Sequence, residues 1–327
     1  MIDLFLLAGV HGGDRHGDAL RDTVDYAVAA EDAGFDGVWL AEHHFLTYGA
    51  CPSAVALAAY VLGRTRRITV GTAAAILPAR HPVALAEETA LLAAVAGDRF
   101  ELGVGRGGPW VDLEVLGTGL PRYTEGFAES LDLLLEWLSG ARRVGADGVA
   151  HRFRPVRVVP RPTTPPRVRI AATTAASVDV AAARGLPLLL GMHAAPAEHR
   201  VLLDRYAAYT GGTVPPPAVA HLAYVADTVD QARAAVHAPL RAWLARTAEY
   251  VRLDGADGTG RDPDAYADRL VDLHPVGDAG LCVERLRRSR EITGAGRLLL
   301  AVEAGGDRGR TLDCIARLAE EVLPFVR

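Results

Sequence analysis

Short apolar runs and longer amphipathic stretches take turns along the whole chain. The runs IDLFLLA (2–8), GVWLAE (37–42), ITVGTAAAIL (68–77), RFELGVG (99–105), VRIAAT (168–173), LPLLLGM (186–192), VAHLAYVA (219–226) and RLLLAVEA (297–304) are continuously apolar. Strands covered on both faces have this pattern. Between them, apolar positions recur at helical spacing over 18–33, 52–63, 83–96, 124–139, 175–184, 197–209, 228–250, 279–293 and 308–322. Asp18, Thr124, Ser177 and Thr228 are residue types that open helices, and Pro82 and Pro196 suit first turns. Strands alternating with helices in this way predict one domain, a (β/α)8 TIM barrel. A doubly wound sheet would use fewer strands and bind its ligand at a switch point.

Two segments break the rhythm. Residues 141–166 predict a hairpin inserted after strand four, ending in a proline-rich loop. Residues 254–276, dense in glycine and acid, predict a mobile loop between strands seven and eight, where an active-site lid would sit.

Composition narrows the function. A formal net charge of -5 provides no basic field for nucleic acid. All 35 basic residues are arginine, which excludes a Schiff-base or P-loop lysine. Cys51, Cys282 and Cys314 form no C-x-x-C pair, so no zinc site is expected, and free thiols fit a reducing cytoplasm. The opening run IDLFLLAGV is too short to span a membrane and lacks signal-peptide flanks, so it predicts a first strand.

Candidate chemistry gathers at strand ends. In GFDGVWLAEHHF (34–45) a buried strand runs straight into Glu42, His43 and His44, at the end of a barrel strand where this fold places catalysis. Adjacent strand residues face opposite ways, so the two histidines cannot share a metal; one enters the pocket and the other braces the rim. LGVGRGG (102–108) has G-x-G-x-x-G spacing, but Pro109-Trp110 follows where a dinucleotide-binding helix would begin. What remains is a bare strand end at Gly105 and one forked cation, Arg106. AATTAAS (171–177) brings Thr173, Thr174 and Ser177 to a helix start, suited equally to capping or to seating a phosphate. In GTAAAILPARHP (71–82) alanines keep a wall flat, for a planar ring or for close helix packing. Gly191-Met192-His193 ends strand six and could line a pocket.

In order, AEDAGFDGVWLAEHHF, GTAAAILPARHPV, DRFELGVGRG, GLPL, HPVG and VLPFV span nearly the whole chain. With these segments the chain resembles the bacterial luciferase-like family of flavin-dependent monooxygenases. The resemblance implies a (β/α)8 fold, usually dimeric, binding reduced FMN at the carboxyl ends of its strands. It implies His43 as the catalytic histidine with Glu42 beside it, Arg106, Thr174 and Ser177 (with Thr173 adjacent) on the phosphate, and Phe5 near the ring. It places a non-prolyl cis peptide at Ala73-Ala74, against the flavin. Gly105 stands where light-emitting members carry a thiol, so light emission is not expected. The family's second phosphate arginine is missing, with Glu125 near its position and Arg122 as a stand-in. The 254–276 loop is shorter than the luciferase lid.

The chemistry so implied is two-component. FMNH2 from a separate reductase meets O2 to give a flavin C4a-peroxide, which oxygenates a hydrophobic substrate at a carbonyl or an electron-rich ring. His44, Met192 and His193 are candidates for the substrate side. An arginine-only, GC-rich coding style is compatible with antibiotic-type polyketide or aromatic metabolism. The alternatives are a deazaflavin-dependent oxidoreductase of the same superfamily and a non-catalytic flavin-binding protein. Wide apolar stripes on helices 54–63 and 84–96 predict a homodimer.

Overall fold

The computed structural model describes residues 1–11, 15–108, 111–247 and 262–327. Eight parallel strands form the core: β1 (Ile2–Leu6), β2 (Gly37–Leu40), β3 (Thr69–Thr72), β4 (Phe100–Gly105), β5 (Arg167–Ala171), β6 (Leu188–Leu190), β7 (Ala218–Leu222) and β8 (Arg297–Ala301). Each pairs with its sequence neighbours, and β1 pairs with β8 with Ile2 opposite Leu298, so the sheet closes on itself. This is the expected (β/α)8 barrel. Closure removes the edges, and the surrounding helices cover the outer face, which explains why the strands are apolar on both sides.

Two expected strands are interrupted near their carboxyl ends. The third breaks at a cis Ala73–Ala74 peptide and resumes as Ala75–Ile76 beside β4. The seventh breaks after Leu222, and Tyr224–Val225 pairs with Val276–Gly277.

The amino end of the barrel is filled by charge. Arg297 on β8 pairs with Asp3 on β1 at 2.7 Å and with Glu101 on β4 at 3.4 Å. Strands four and eight lie on opposite sides of an eight-stranded barrel, so this arginine crosses the lumen. Trp39 Nε1 donates to the same Asp3 oxygen at 2.7 Å, and Arg169 holds the other face of Glu101. Each buried carboxylate thus faces a guanidinium, as buried ions require, although burial still pushes the Asp3 carboxyl up against the pull of Arg297. Gly71 makes room for the Trp39 ring: a β-carbon there would fall 2.4 Å from it.

The insertion after strand four contains an antiparallel hairpin, Arg143–Asp147 with Arg152–Arg157. Two short helices between β4 and this hairpin, Val111–Val115 and Gly119–Thr124, were not expected from periodicity. Thr124 therefore ends a helix instead of starting one. Asp18 lies in the first turn of the helix His16–Asp32, where an acid complements the helix dipole, and Arg15 precedes it. Ser177 likewise lies inside its helix, which Thr174 caps. Thr228, Pro82 and Pro196 stand where expected. The 254–276 segment is only partly loop. Residues 254–261 lie outside the described residues, and Pro263–Leu273 is a helix capped by Asp262. Its apolar positions Ala267, Leu270 and Val271 keep helical spacing beneath the acidic surface residues. No helix among the described residues is long and apolar enough to cross a membrane.

Candidate active site at the carboxyl rim of the barrel

Glu42 follows β2 with a fully buried side chain. It accepts from the backbone N–H of Ala54 and of Ile76, each at 2.9 Å, and lies 3.4 Å from His44 Nε2 and 3.5 Å from the Arg80 guanidinium. Burial opposes its ionisation. His44, Arg80 and the two backbone donors outweigh burial and hold the carboxyl below its ordinary range. Its oxygens are thus committed to tying together the ends of β2 and β3 and the start of the helix Ala54–Arg64. Residues 42–44 lie beyond the end of β2, so strand alternation no longer separates them: Glu42 and His44 are neighbours, and His43 and His44 both line one cavity.

His43 is anchored by its backbone N–H to the Cys51 oxygen at 2.8 Å, and its ring meets Tyr48 edge-on at 5.1 Å. Its Nδ1 is buried with no hydrogen-bond partner among the described residues. Desolvation by the surrounding protein pushes its pKa down to about 4, against the pull of Glu42 and with help from His44. At neutral pH the imidazole is uncharged.

Two cavities meet at this histidine, and Glu42, His43, Tyr48 and His193 line both. The larger, about 510 Å³, is lined by Arg106, Thr173, Thr174 and Ser177 and by Ala74, Gly105 and Ala171. A β-carbon on Gly105 would sit 3.2 Å from Ala74 and 3.4 Å from Ala171, so glycine keeps that wall flat. Arg106 lies over the Tyr123 ring at 4.5 Å, and the Thr174 and Ser177 hydroxyls are 3.0 Å apart at the start of the helix Ala175–Ala182. The second cavity, about 390 Å³, is lined by Phe5, Leu7, Ala73, Met192 and Trp243 besides the polar groups it shares with the first. A flat wall, a forked cation beside hydroxyls and an unpartnered imidazole nitrogen suit a planar, phosphate-tailed group.

Most of the residues singled out from sequence therefore converge. His44 lines the larger cavity and not the second. Arg122 lines neither cavity. It lies close enough to His81 and His151 to help depress both imidazoles, and its buried Nη1 has no hydrogen-bond partner among the described residues. Sequence reading missed Tyr48, whose ring lies edge-on to Trp243 at 5.5 Å, and also Tyr123 and Tyr266. It missed Asp112 as well, a buried carboxyl on the larger cavity raised by desolvation against the pull of His44. Among the described residues no group of three or more His, Cys, Asp or Glu could hold a metal ion.

Fold and sequence together define an enzyme of the flavin-dependent monooxygenase class. More narrowly, the chain belongs to the luciferase-like monooxygenase family, whose model matches residues 1–296. It is 26% identical to the alkanal monooxygenase alpha chain of the Kryptophanaron alfredi symbiont, over 95% of this chain and 94% of that one. It is 29% identical to the 4-hydroxyprotoasukamycin monooxygenase of Streptomyces nodosus subsp. asukaensis, over 90% and 84%. Solved structures share the fold. Monooxygenase RslO1 from Streptomyces bottropensis matches with a TM-score of 0.84 at 22% identity, covering 99% of this chain and 98% of that one. The oxygenating constituent of 3,6-diketocamphane monooxygenase from Pseudomonas putida, in complex with FMN, matches at 0.79 and 19%, covering 100% and 98%. An F420-dependent secondary alcohol dehydrogenase matches at 0.78 and 17%, covering 100% and 98%.

Proposed function

We propose that this protein is a two-component monooxygenase that takes FMNH2 from a separate reductase and uses O2 to oxygenate a hydrophobic organic substrate, in antibiotic-type metabolism. One observation carries the proposal: His43 stands where a flat-walled cavity lined by Arg106, Thr173, Thr174 and Ser177 meets one lined by Phe5, Leu7, Met192 and Trp243. Arg106, Thr173, Thr174 and Ser177 would hold the phosphate, and Ala73, Ala74 and Gly105 would face the ring, with Phe5 at its edge. Bound and reduced, the flavin supplies the electrons that activate oxygen. The protein's own residues do the rest. Trp243, Tyr48 and Met192 exclude water from the apolar side, which strengthens the polar interactions left inside. Neutral His43 accepts or donates one proton where the two cavities meet, and Glu42 holds the rim in place around it.

The test is an anaerobic titration of the whole protein with FMNH2, riboflavin and reduced F420, followed by reaction of the preferred complex with 18O2 over a panel of apolar ketones and phenols. FMNH2 should bind more tightly than riboflavin, and product should carry the label. Preference for F420, or products without oxygen-18, would turn the assignment to hydride transfer.

A further inference from the structure

Two consecutive carbonyls at the end of β6, those of Gly191 and Met192, are held from behind by imidazoles. His199 Nε2 lies 3.0 Å from the Gly191 oxygen, and His274 Nε2 lies 2.6 Å from the Met192 oxygen. Behind His274 stands His221, Nδ1 to Nδ1 at 3.2 Å, and His221 Nε2 is 3.0 Å from the Ser289 hydroxyl. His221, His274 and Ser289 are all buried. HPVG, the segment that starts at His274, has no part in the chemistry proposed above.

The direction of these bonds follows from donor and acceptor chemistry. A carbonyl only accepts, so His274 carries a proton on Nε2. With one proton on that ring, its Nδ1 is an acceptor, and His221 must donate from its own Nδ1. His221 Nε2 is then left to accept from Ser289. Desolvation keeps both rings neutral: it pushes His274 down to about 4 and His221 well below its ordinary value. The chain runs one way, from Ser289 through His221 and His274 to Met192.

We infer that His274 is a positioning residue for the apolar cavity: the ordered Ser289–His221–His274 chain fixes the Met192 carbonyl and, with it, the Met192 side chain that walls the cavity. His274 also ends the helix Pro263–Leu273, whose Tyr266 hydroxyl meets His193 Nδ1 at 2.7 Å. One imidazole thereby secures both sides of the cavity mouth. Its bearing on catalysis rests on reading that cavity as the substrate's, whereas the proton order does not.

The chain has two methionines, Met1 and Met192, so methyl-13C-methionine labelling gives a single cavity reporter. In whole protein also labelled with 15N-histidine, at pH 7.5, His274 should be protonated on Nε2 alone and His221 on Nδ1 alone. His274→Leu should shift or broaden the Met192 methyl signal. His274→Gln, which keeps one donor and one acceptor, should return it toward the wild-type position. FMN affinity in both should stay within about two-fold of wild type, since the phosphate seat lies in the other cavity. A doubly protonated or reversed ring at either position, or an unmoved methyl signal in His274→Leu, overturns the inference. If His274→Leu does not fold, Ser289→Ala carries the test. It removes only the last donor, so the His221 ring nitrogens and the Met192 methyl should move together, and no movement overturns the proposal. A wild-type protein that takes up no FMN defeats the flavin assignment alone and leaves the imidazole order to its own result.

Discussion

Gly49 lies directly against the His43 ring: a β-carbon at residue 49 would fall 2.4 Å from His43 Nδ1. The active-site imidazole occupies space that only glycine leaves free, so the rim loop and β2 are matched to each other. Gly49→Ala should displace the ring and lower turnover by roughly 10²-fold or more, the scale of losing a positioned acid–base group. FMN binding should persist. Steady-state turnover and a flavin titration on the same variant check both halves.

Among the described residues, Arg106 is the one arginine that lines the larger cavity. Charge-assisted hydrogen bonds contribute about 1.5–3 kcal/mol each. Arg106→Ala should therefore weaken FMN by roughly 10- to 100-fold while leaving riboflavin, which has no phosphate, nearly unchanged. Equal losses for both ligands would place the phosphate elsewhere.

Acid should destabilise the fold through its buried imidazoles. His274 is pushed down to about 4 and His221 well below its ordinary value, both chiefly by burial. From about pH 6.5 downward the unfolded chain binds protons at these rings and the folded chain does not. Stability is therefore lost as pH falls from about 6.5 toward 4. The urea midpoint should be lower at pH 5 than at pH 7, and His274→Gln should reduce the difference.

Removing the central cation of the barrel floor should be costly. Arg297→Met leaves Asp3 without its ion pair, with Trp39 as its remaining side-chain partner. Breaking one side of a buried pair costs about 3–5 kcal/mol. Chemical denaturation should show that loss. A change under ~1 kcal/mol would mean that water replaces the guanidinium.

The homodimer proposal now has specific side chains. Tyr60, on the helix Ala54–Arg64, and Leu91 and Val95, on the helix Pro82–Ala96, are 57%, 52% and 75% exposed. Light scattering should report a dimer at micromolar concentration, and Leu91→Glu with Val95→Glu should report a monomer.

The strands and most helices were legible because burial on both faces forces continuous apolar runs, a signal that needs only neighbouring residues. The rim residues His43, Arg106 and Thr174 were legible because each follows a recognisable strand, and Ser177 because it lies in the first turn of the helix after one. Tyr48, Trp243 and Tyr266 were not, since they reach the cavity from loops and helices whose placement depends on the whole barrel. The helix Pro263–Leu273 was hidden by its acidic surface residues. Asp3 and Glu101 sit inside strand-like runs where their partners, 294 and 196 positions away at Arg297, leave no local trace.

That ion cluster has a further effect on traffic. With Arg297, Asp3, Glu101 and Trp39 packed across the lumen, the barrel is a cup and not a tube. On the proposed function, cofactor, oxygen, substrate and product would all use the carboxyl rim. A ligand already seated there would narrow the way for the next, so the order of entry becomes something to measure.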